Sequence, residues 1–309
     1  MPDAAFQTGA EVRVRDLPAG GHVRTPSYVR GRRGRIERLQ GRYPDPERRA
    51  YGADGLPPVP LYLVSFRQSD IWPGYRGPLP TVSCSTSSSI GWSPWRGLMG
   101  NDDPAHGHAH PVGRDHPTKP WERREAAIRS LLVEKGLLSA GEIRRKIEEW
   151  EQKSPALGAR IVARAWSEPA FERRLLADAN AAAAELGIEV RGVKLVALKN
   201  TPQRHHLVVC TLCSCYPRAV LGLPPAWYKA KAYRSRAVSD PRGVLEEFGT
   251  ALAPEVEIRV VDSTADCRYL VVPMRPPGTE SWEETRLAGL VNRDSMIGVA
   301  KVRGPAAQA

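Results

Sequence analysis

The sequence predicts an α+β chain in two parts: a small, strongly bent β-barrel, then a larger domain of helices followed by a sheet. Three observations predict it. Short apolar runs, broken every few residues by glycine or proline, fill residues 10–76. Apolar residues recur at helical spacing from Trp121 to Leu186. Short β-favouring runs return after Gly187. The 309 residues also suit two domains at roughly 100–200 residues each.

In the first part Val12, Arg13 and Val14 alternate as a strand, Gly20 and Gly21 turn the chain, and Leu61–Phe66 forms a second strand. Glycines at 31, 34, 41, 52 and 55, with prolines between 44 and 60, leave no room for long helices. This barrel takes residues 1–82. Residues 83–118 read as a Ser- and His-rich linker, with His106, His108, His110 and His116 among Gly and Ala and no acidic or Cys partner at ligand spacing. The second part takes residues 119–309. A helix opens at Trp121 and ends at Gly136 as its C-cap. Ser139 caps a second over Ala140–Gln152, where Ile143 and Ile147 stand at i, i+4. Helices continue over Ala159–Ser167 and Pro169–Leu186, and Gly187 stops the run. Strands are expected at Val193–Leu198, Leu207–Val209, Val256–Val261 and Tyr269–Val272.

Hydrophobic residues make up 41% and charged residues 26%, which is globular and not disordered. No apolar run reaches the roughly 18–20 residues of a membrane helix, and Met1-Pro2-Asp3 begins no signal peptide. A cytoplasmic protein without a membrane partner is expected. The net charge of +11 permits an anionic partner. The basic run Arg30–Arg35 lacks the interleaved aromatics that stack bases, so it reads as solvated surface and no nucleic acid is expected.

Five cysteines are too few and too uneven for a disulfide scaffold. Cys84 and Cys267 stand alone, but Cys210, Cys213 and Cys215 fall within six residues. A thioredoxin-like pair has no use for a third Cys. A zinc site needs a second half, and Cys267 with His205 or His206 is a poor one. Core thiols would not crowd so closely in sequence. A single octahedral transition metal fits better: three sulfurs and two backbone amide nitrogens fill five corners and leave one open.

The segment Cys-Thr-Leu-Cys-Ser-Cys-Tyr-Pro resembles the metal claw of the nitrile hydratase α subunit and of its relative, the thiocyanate hydrolase γ subunit. Asn200-Thr201-Pro202, Leu221–Lys229, Tyr233–Arg236, Val256–Leu270 and Arg293–Val299 extend the likeness, from Trp121 to Ala300. Gly21–Gly31 resembles the start of the C-terminal, SH3-like barrel of the nitrile hydratase β subunit. The resemblance implies a layered α/β catalytic core and a non-corrin Co(III) held by Cys210, Cys213 and Cys215, together with the amide nitrogens of Ser214 and Cys215. Thr211 resembles the cobalt class. Cys213 would be a sulfinate and Cys215 a sulfenate acting as nucleophile or base, each a rung of the thiol oxidation ladder. Arg24 would bond those oxygens, because charge-assisted bonds are the strong kind, with His22 behind it. Asp262, Ser263 and Arg268 would support the claw.

Three departures bear on function. Lys199 stands where nitrile hydratases have Glu or Gln, and a cation there would change the field at the claw. Arg218 follows Tyr216-Pro217 where Trp is usual, as in thiocyanate hydrolase, and would meet an anion. The N-terminal half of the β subunit has no counterpart, so a separate subunit resembling it is expected, in a hetero-oligomer, with an activator protein that inserts cobalt. The implied activity is hydration of a nitrile to its amide. The alternatives are thiocyanate hydrolysis to carbonyl sulfide and ammonia, or a non-catalytic metal or redox accessory. Val82–Leu98 lacks the alternation of a closing barrel strand, which a frameshift between two adjacent genes would explain, with Met99 as the second start.

Overall fold

The computed structural model describes residues 6–16, 25–45, 48–49, 51–77, 81–88, 92–94, 120–139, 141–142 and 154–304. The fold is α+β. The first part holds strands β1 (Glu11–Val14), β2 (Arg33–Tyr43), β3 (Val59–Arg67), β4 (Thr81–Ser88) and β5 (Trp92–Pro94), with one turn of helix, α1 (Gln68–Ile71). Val12, Val14, Val29, Ile36, Tyr62, Val64, Phe66 and Ile71 fill its core. Strand β3 is buried on both faces: Tyr62, Val64 and Phe66 enter this core, while Leu61 and Leu63 enter the main one. That two-sided burial is why β3 carries so little polar alternation.

Two features differ from the expectation. Strand β2 runs through the arginine- and glycine-rich stretch that gave no strand signal. Its Gly34 is required, because a Cβ there would lie 2.6 Å from the Phe66 ring; Arg33 and Arg35 on either side are exposed. Residues 83–88, assigned to the linker, are strand instead. β4 pairs antiparallel with β3, Leu61 opposite Ser88 and Phe66 opposite Ser83, and parallel with β8. Enclosed between two partners, its backbone groups are satisfied on both edges, so a Ser/Thr run without apolar alternation still holds a strand. Strand β5 pairs with β1. The linker histidines and Met99 lie outside the described residues.

The second part begins with α2 (Pro120–Glu134), stopped before Gly136 in the left-handed conformation. Ser139 and Glu142 bond reciprocally as a capping box, and the expected helix beyond residue 142 lies outside the described residues. Helix α3 (Pro155–Ser167) follows. The single helix expected over Pro169–Leu186 is broken into α4 (Pro169–Ala177) and α5 (Ala179–Glu185), because the Asp178 carboxylate accepts from the amides of Asn180 and Ala181 and caps a new start. Strands β6 (Lys194–Lys199) and β7 (Arg204–Val209) come next, then four short helices: α6 (Arg218–Leu221), α7 (Ala226–Lys229), α8 (Lys231–Ser239) and α9 (Pro241–Glu247). At four to nine residues these are too brief to show a hydrophobic period, and the sequence reading missed them. Strands β8 (Glu257–Asp262) and β9 (Cys267–Val272) and helices α10 (Glu284–Ala288) and α11 (Arg293–Ile297) complete the chain.

Seven strands form one sheet in the order β5-β1-β2-β3-β4-β8-β7, and β6 pairs with β9 in a second. The barrel is therefore knitted to the second domain through β4 and β8. Side chains add to the join. Arg259 bridges Glu37 of the barrel and Glu257, at 3.1 and 2.8 Å. Gln40 donates to the Tyr269 hydroxyl at 3.3 Å, Lys194 donates to the Gln40 carbonyl at 2.5 Å, and the Trp72 indole donates to the Val238 carbonyl at 2.9 Å. Among the described residues no helix is long and apolar enough to cross a membrane.

Beneath β7, Gly298 has φ +89°, and a Cβ there would lie 1.9 Å from the His206 carbonyl oxygen. Gly298→Ala is expected to cost about 3 kcal/mol from overpacking and left-handed strain, read by urea unfolding. Burial, with Arg259 and Arg204 adding repulsion, pushes the His206 imidazole down to about 3. The unfolded chain therefore binds a proton that the folded chain refuses between about pH 6.5 and 3, so stability falls as pH drops through that window. The slope for one such histidine is about 1.4 kcal/mol per pH unit. His206→Gln is expected to flatten the pH dependence of the unfolding free energy by that amount.

Candidate metal centre

Strands β7 and β8 run parallel, with Val209 opposite Asp262, so their carboxyl ends finish side by side. Loops beyond such ends are the usual ligand site of a parallel sheet. The loop leaving β7 is Cys210–Pro217. It folds back so that the sulfurs of Cys210, Cys213 and Cys215 lie within 4.8 Å of one another. Cys210 to Cys213 is 3.5 Å and Cys213 to Cys215 is 3.1 Å. Cys210 and Cys215 are buried and Cys213 is exposed, so the triad opens to solvent on one side.

The loop is pinned from outside. The buried Asp262 carboxylate accepts from the Thr211 amide at 2.9 Å and the Thr211 hydroxyl at 2.5 Å. It also accepts from the hydroxyl of Tyr28, a barrel residue, at 2.9 Å. Arg234 donates to the Cys213 carbonyl at 2.7 Å, and the Tyr228 hydroxyl donates to the Cys215 carbonyl at 2.8 Å. Behind the loop Tyr216, Trp227, Tyr228, Tyr233 and Phe248 pack edge to face. Within the loop the Cys213 amide donates to the Cys210 sulfur at 3.3 Å.

Electrostatics follow the geometry. Donation from the Cys210 and Cys215 thiols, then from the Ser214 and Cys215 amides, holds Cys213 down to about 2 despite burial. The same hydrogen bonds to Cys213 and Cys215, followed by burial, push Cys210 far up. Donation from Cys210 pulls Cys215 down, but its own donation to Cys213 and its burial outweigh that and leave it up at about 11, with Arg268 drawing it lower. Burial pushes Asp262 up to about 6 against the pull of Thr211 and Tyr28. Three sulfurs within 4.8 Å of one another make a donor set suited to a transition metal of the thiolate-seeking kind. Among the described residues this is the one cluster of three or more such ligands.

Asp262 bonds the loop at Thr211, and the charge of Arg268 acts on Cys215. Ser263 is fully buried, its amide bonded to the Val209 carbonyl, and its hydroxyl has no hydrogen-bond partner among the described residues. Arg218 is exposed at the start of α6, three residues past Cys215. The Lys199 ammonium pairs with Glu172 of α4 at 2.8 Å, so a carboxylate accompanies this cation. His22 and Arg24 lie outside the described residues. His205 and His206 are buried and bond Asn200, with His205 also reaching the Gly298 carbonyl at 2.6 Å. Cys267 is buried and belongs to no cluster of three or more such ligands among the described residues. Sequence reasoning missed Tyr28, Tyr228 and Arg234. Each sits inside a segment whose likeness was recognised, but its contact with the claw is visible only in three dimensions.

The nitrile hydratase alpha chain family matches residues 119–300, and the C-terminal family of the nitrile hydratase beta subunit matches residues 1–85. The chain belongs to the nitrile hydratase family. A low-molecular-weight cobalt-containing nitrile hydratase α subunit of Rhodococcus rhodochrous is 55% identical over 179 residues, 57% of this chain and 86% of that protein. The thiocyanate hydrolase γ subunit of Thiobacillus thioparus is 42% identical over 192 residues, 58% of this chain and 79% of its own. The barrel is 39% identical over 70 residues to that organism's thiocyanate hydrolase α subunit, 23% of this chain and 55% of that subunit. A solved thiocyanate hydrolase with partially modified cobalt centres superposes at TM-score 0.58 with 40% identity, over 61% of this chain and 93% of that one. In the Thiobacillus thioparus thiocyanate hydrolase the counterparts of the two parts are separate subunits, γ and α.

Exposure and thiolate character single out Cys213. In metal-free protein at pH 7, iodoacetamide is expected to label Cys213 at least about tenfold faster than Cys210 or Cys215, read by peptide mass spectrometry. Equal labelling of the three would contradict the charge distribution described.

Proposed function

We propose that this chain is the metal-bearing part of a cobalt enzyme that adds water across a C≡N bond and releases the amide. The observation that carries the reading is the sulfur triad, three donors within 4.8 Å of one another. Cys210, Cys213 and Cys215 and the amide nitrogens of Ser214 and Cys215 would hold the metal. Bound there, cobalt would supply a Lewis acid for a nitrile nitrogen or a water. Cobalt-containing relatives and Thr211 in the claw support that metal.

In this reading Cys213 is oxidised to a sulfinate and Cys215 to a sulfenate. The Cys215 oxygen serves as nucleophile or as base toward the attacking water. Arg24, with His22 behind it, holds the charge on the oxidised sulfurs. Asp262, Ser263 and Arg268 support the claw from the second part of the chain. The addition is redox-neutral: one water and one R–C≡N give R–C(=O)–NH2, with both protons ending on nitrogen. Matches to β-type relatives cover only a part of their length, so a separate subunit is proposed to complete the pocket in a hetero-oligomer. An activator protein would load the cobalt.

A second reading is thiocyanate hydrolysis, in which water adds to the same C≡N group and carbonyl sulfide and ammonia leave. Arg218 favours it, as an exposed cation close in sequence to Cys215 that suits an anionic substrate. Mass spectrometry of the Cys210–Cys215 peptide from cobalt-loaded protein is expected to show two added oxygens on Cys213 and one on Cys215. Unmodified thiols there would overturn the catalytic reading and leave a metal-handling accessory. With the completing subunit co-expressed, hydration of a nitrile panel is compared with thiocyanate turnover. Arg218→Trp is expected to lower the thiocyanate-to-nitrile activity ratio at least about tenfold, the scale of one lost charge-assisted contact.

A further inference from the structure

We infer that Tyr28 is a positioning residue that makes the shape of the claw depend on docking of the barrel. This rests on the reading of the sulfur triad as a metal claw. Asp262 is fully buried, and a carboxylate in that setting needs donors on its lone pairs. Three donors converge on it: the Thr211 amide, the Thr211 hydroxyl and the Tyr28 hydroxyl. Two of them belong to the first residue after Cys210, so Asp262 fixes the path of the loop between Cys210 and Cys213. The third comes from 234 residues away in sequence, across the joint between the two parts.

Tyr28 is itself held rigidly. It lies in a single helical turn, Ser27–Val29, whose Val29 is buried in the barrel core. Its ring stacks on Trp72, centroids 5.8 Å apart and planes 19° apart. The Trp72 indole is in turn bonded to the Val238 carbonyl of the second part. The β4–β8 register puts Ser85 opposite Asp262, so the sheet joins at the same level. Barrel core, Tyr28, Asp262, Thr211 and the sulfur loop thus form one connected series of packed and bonded groups. A barrel displaced from this seat would leave Asp262 short of a donor and Thr211 held by a mobile carboxylate.

Tyr28→Phe isolates the hydroxyl, because it keeps the ring on Trp72. Hydrogen exchange of the metal-free full chain reads the effect without any metal. The Thr211 amide is expected to exchange roughly tenfold faster in the variant, while the amides of β3 and β7 keep their wild-type rates; a lost bond to a charged group is of that order. Unchanged exchange at Thr211 would overturn the inference. So would faster exchange across the whole seven-stranded sheet, which would make Tyr28 a docking residue with no private line to the claw. In cobalt-loaded protein, the variant is expected to show a shifted sulfur-to-metal absorption band and faster cobalt loss to a chelator. If wild-type protein takes up no cobalt, the metal reading fails while the exchange result still judges Tyr28. As a second variant, Thr211→Val is expected to be non-additive with Tyr28→Phe in exchange at residues 212–215. Strict additivity would place the two on separate paths and overturn the inference.

Discussion

The parallel pairing of the strands that end at Val209 and Asp262 is the constraint on which the site depends. It brings a carboxylate beside the first turn of the cysteine loop at a depth where water cannot solvate it. Burying that charge is costly unless donors converge on it. The donors that do so are the ones that shape the loop, so the group that is expensive to bury is also the group that organises the sulfurs. Tyr228 and Arg234 complete the hold from the other side by taking the Cys215 and Cys213 carbonyls. Within that hold, hydrogen bonds from Cys210 and Cys215 make Cys213 the thiol that gives up its proton most readily.

Much of this was legible in the sequence, and the pattern of what was not is instructive. The cysteine spacing announced a metal site because three thiols in six residues have few other uses. The β3, β6, β7, β8 and β9 strands showed as β-favouring apolar runs because their side chains fill cores. Strand β2 did not show, since its Arg and Gly positions obey the needs of Gly34 against Phe66, not a hydrophobic alternation. Strand β4 did not show because its neighbours on both edges, and not its own side chains, keep it in place. The break at Asp178 was hidden because an aspartate in a helical run reads as one more surface charge until its carboxylate is seen on two amides. The pairing of Lys199 with Glu172 was hidden too, since the two stand far apart in sequence. Tyr28 was quoted within a recognised segment and still passed over, because nothing local connects it to a residue 234 positions on.

The joint between the two parts is polar and apolar in turn. Leu61 and Leu63 of the barrel enter the main core, whereas Arg259, Glu37 and Glu257 form a partly exposed ion network at the rim. The apolar contacts supply most of the attachment, since ion pairs of that exposure contribute little individually. The network and the Gln40–Tyr269 bond instead fix the register in which the barrel sits, and register is what Tyr28 needs in order to reach Asp262.

The seven-stranded sheet that runs from β5 to β7 has a consequence in mass action. Two pieces that meet along β4 and β8 as separate polypeptides would associate with a dilution penalty, and every half-assembled copy would leave the Asp262 carboxylate short of a donor. Carried on one polypeptide, the pieces meet at an effective concentration in the millimolar range, set by the reach of the connecting residues and not by how much protein is made. Completion of the sulfur loop becomes a first-order event, as probable in a dilute solution as in a crowded one.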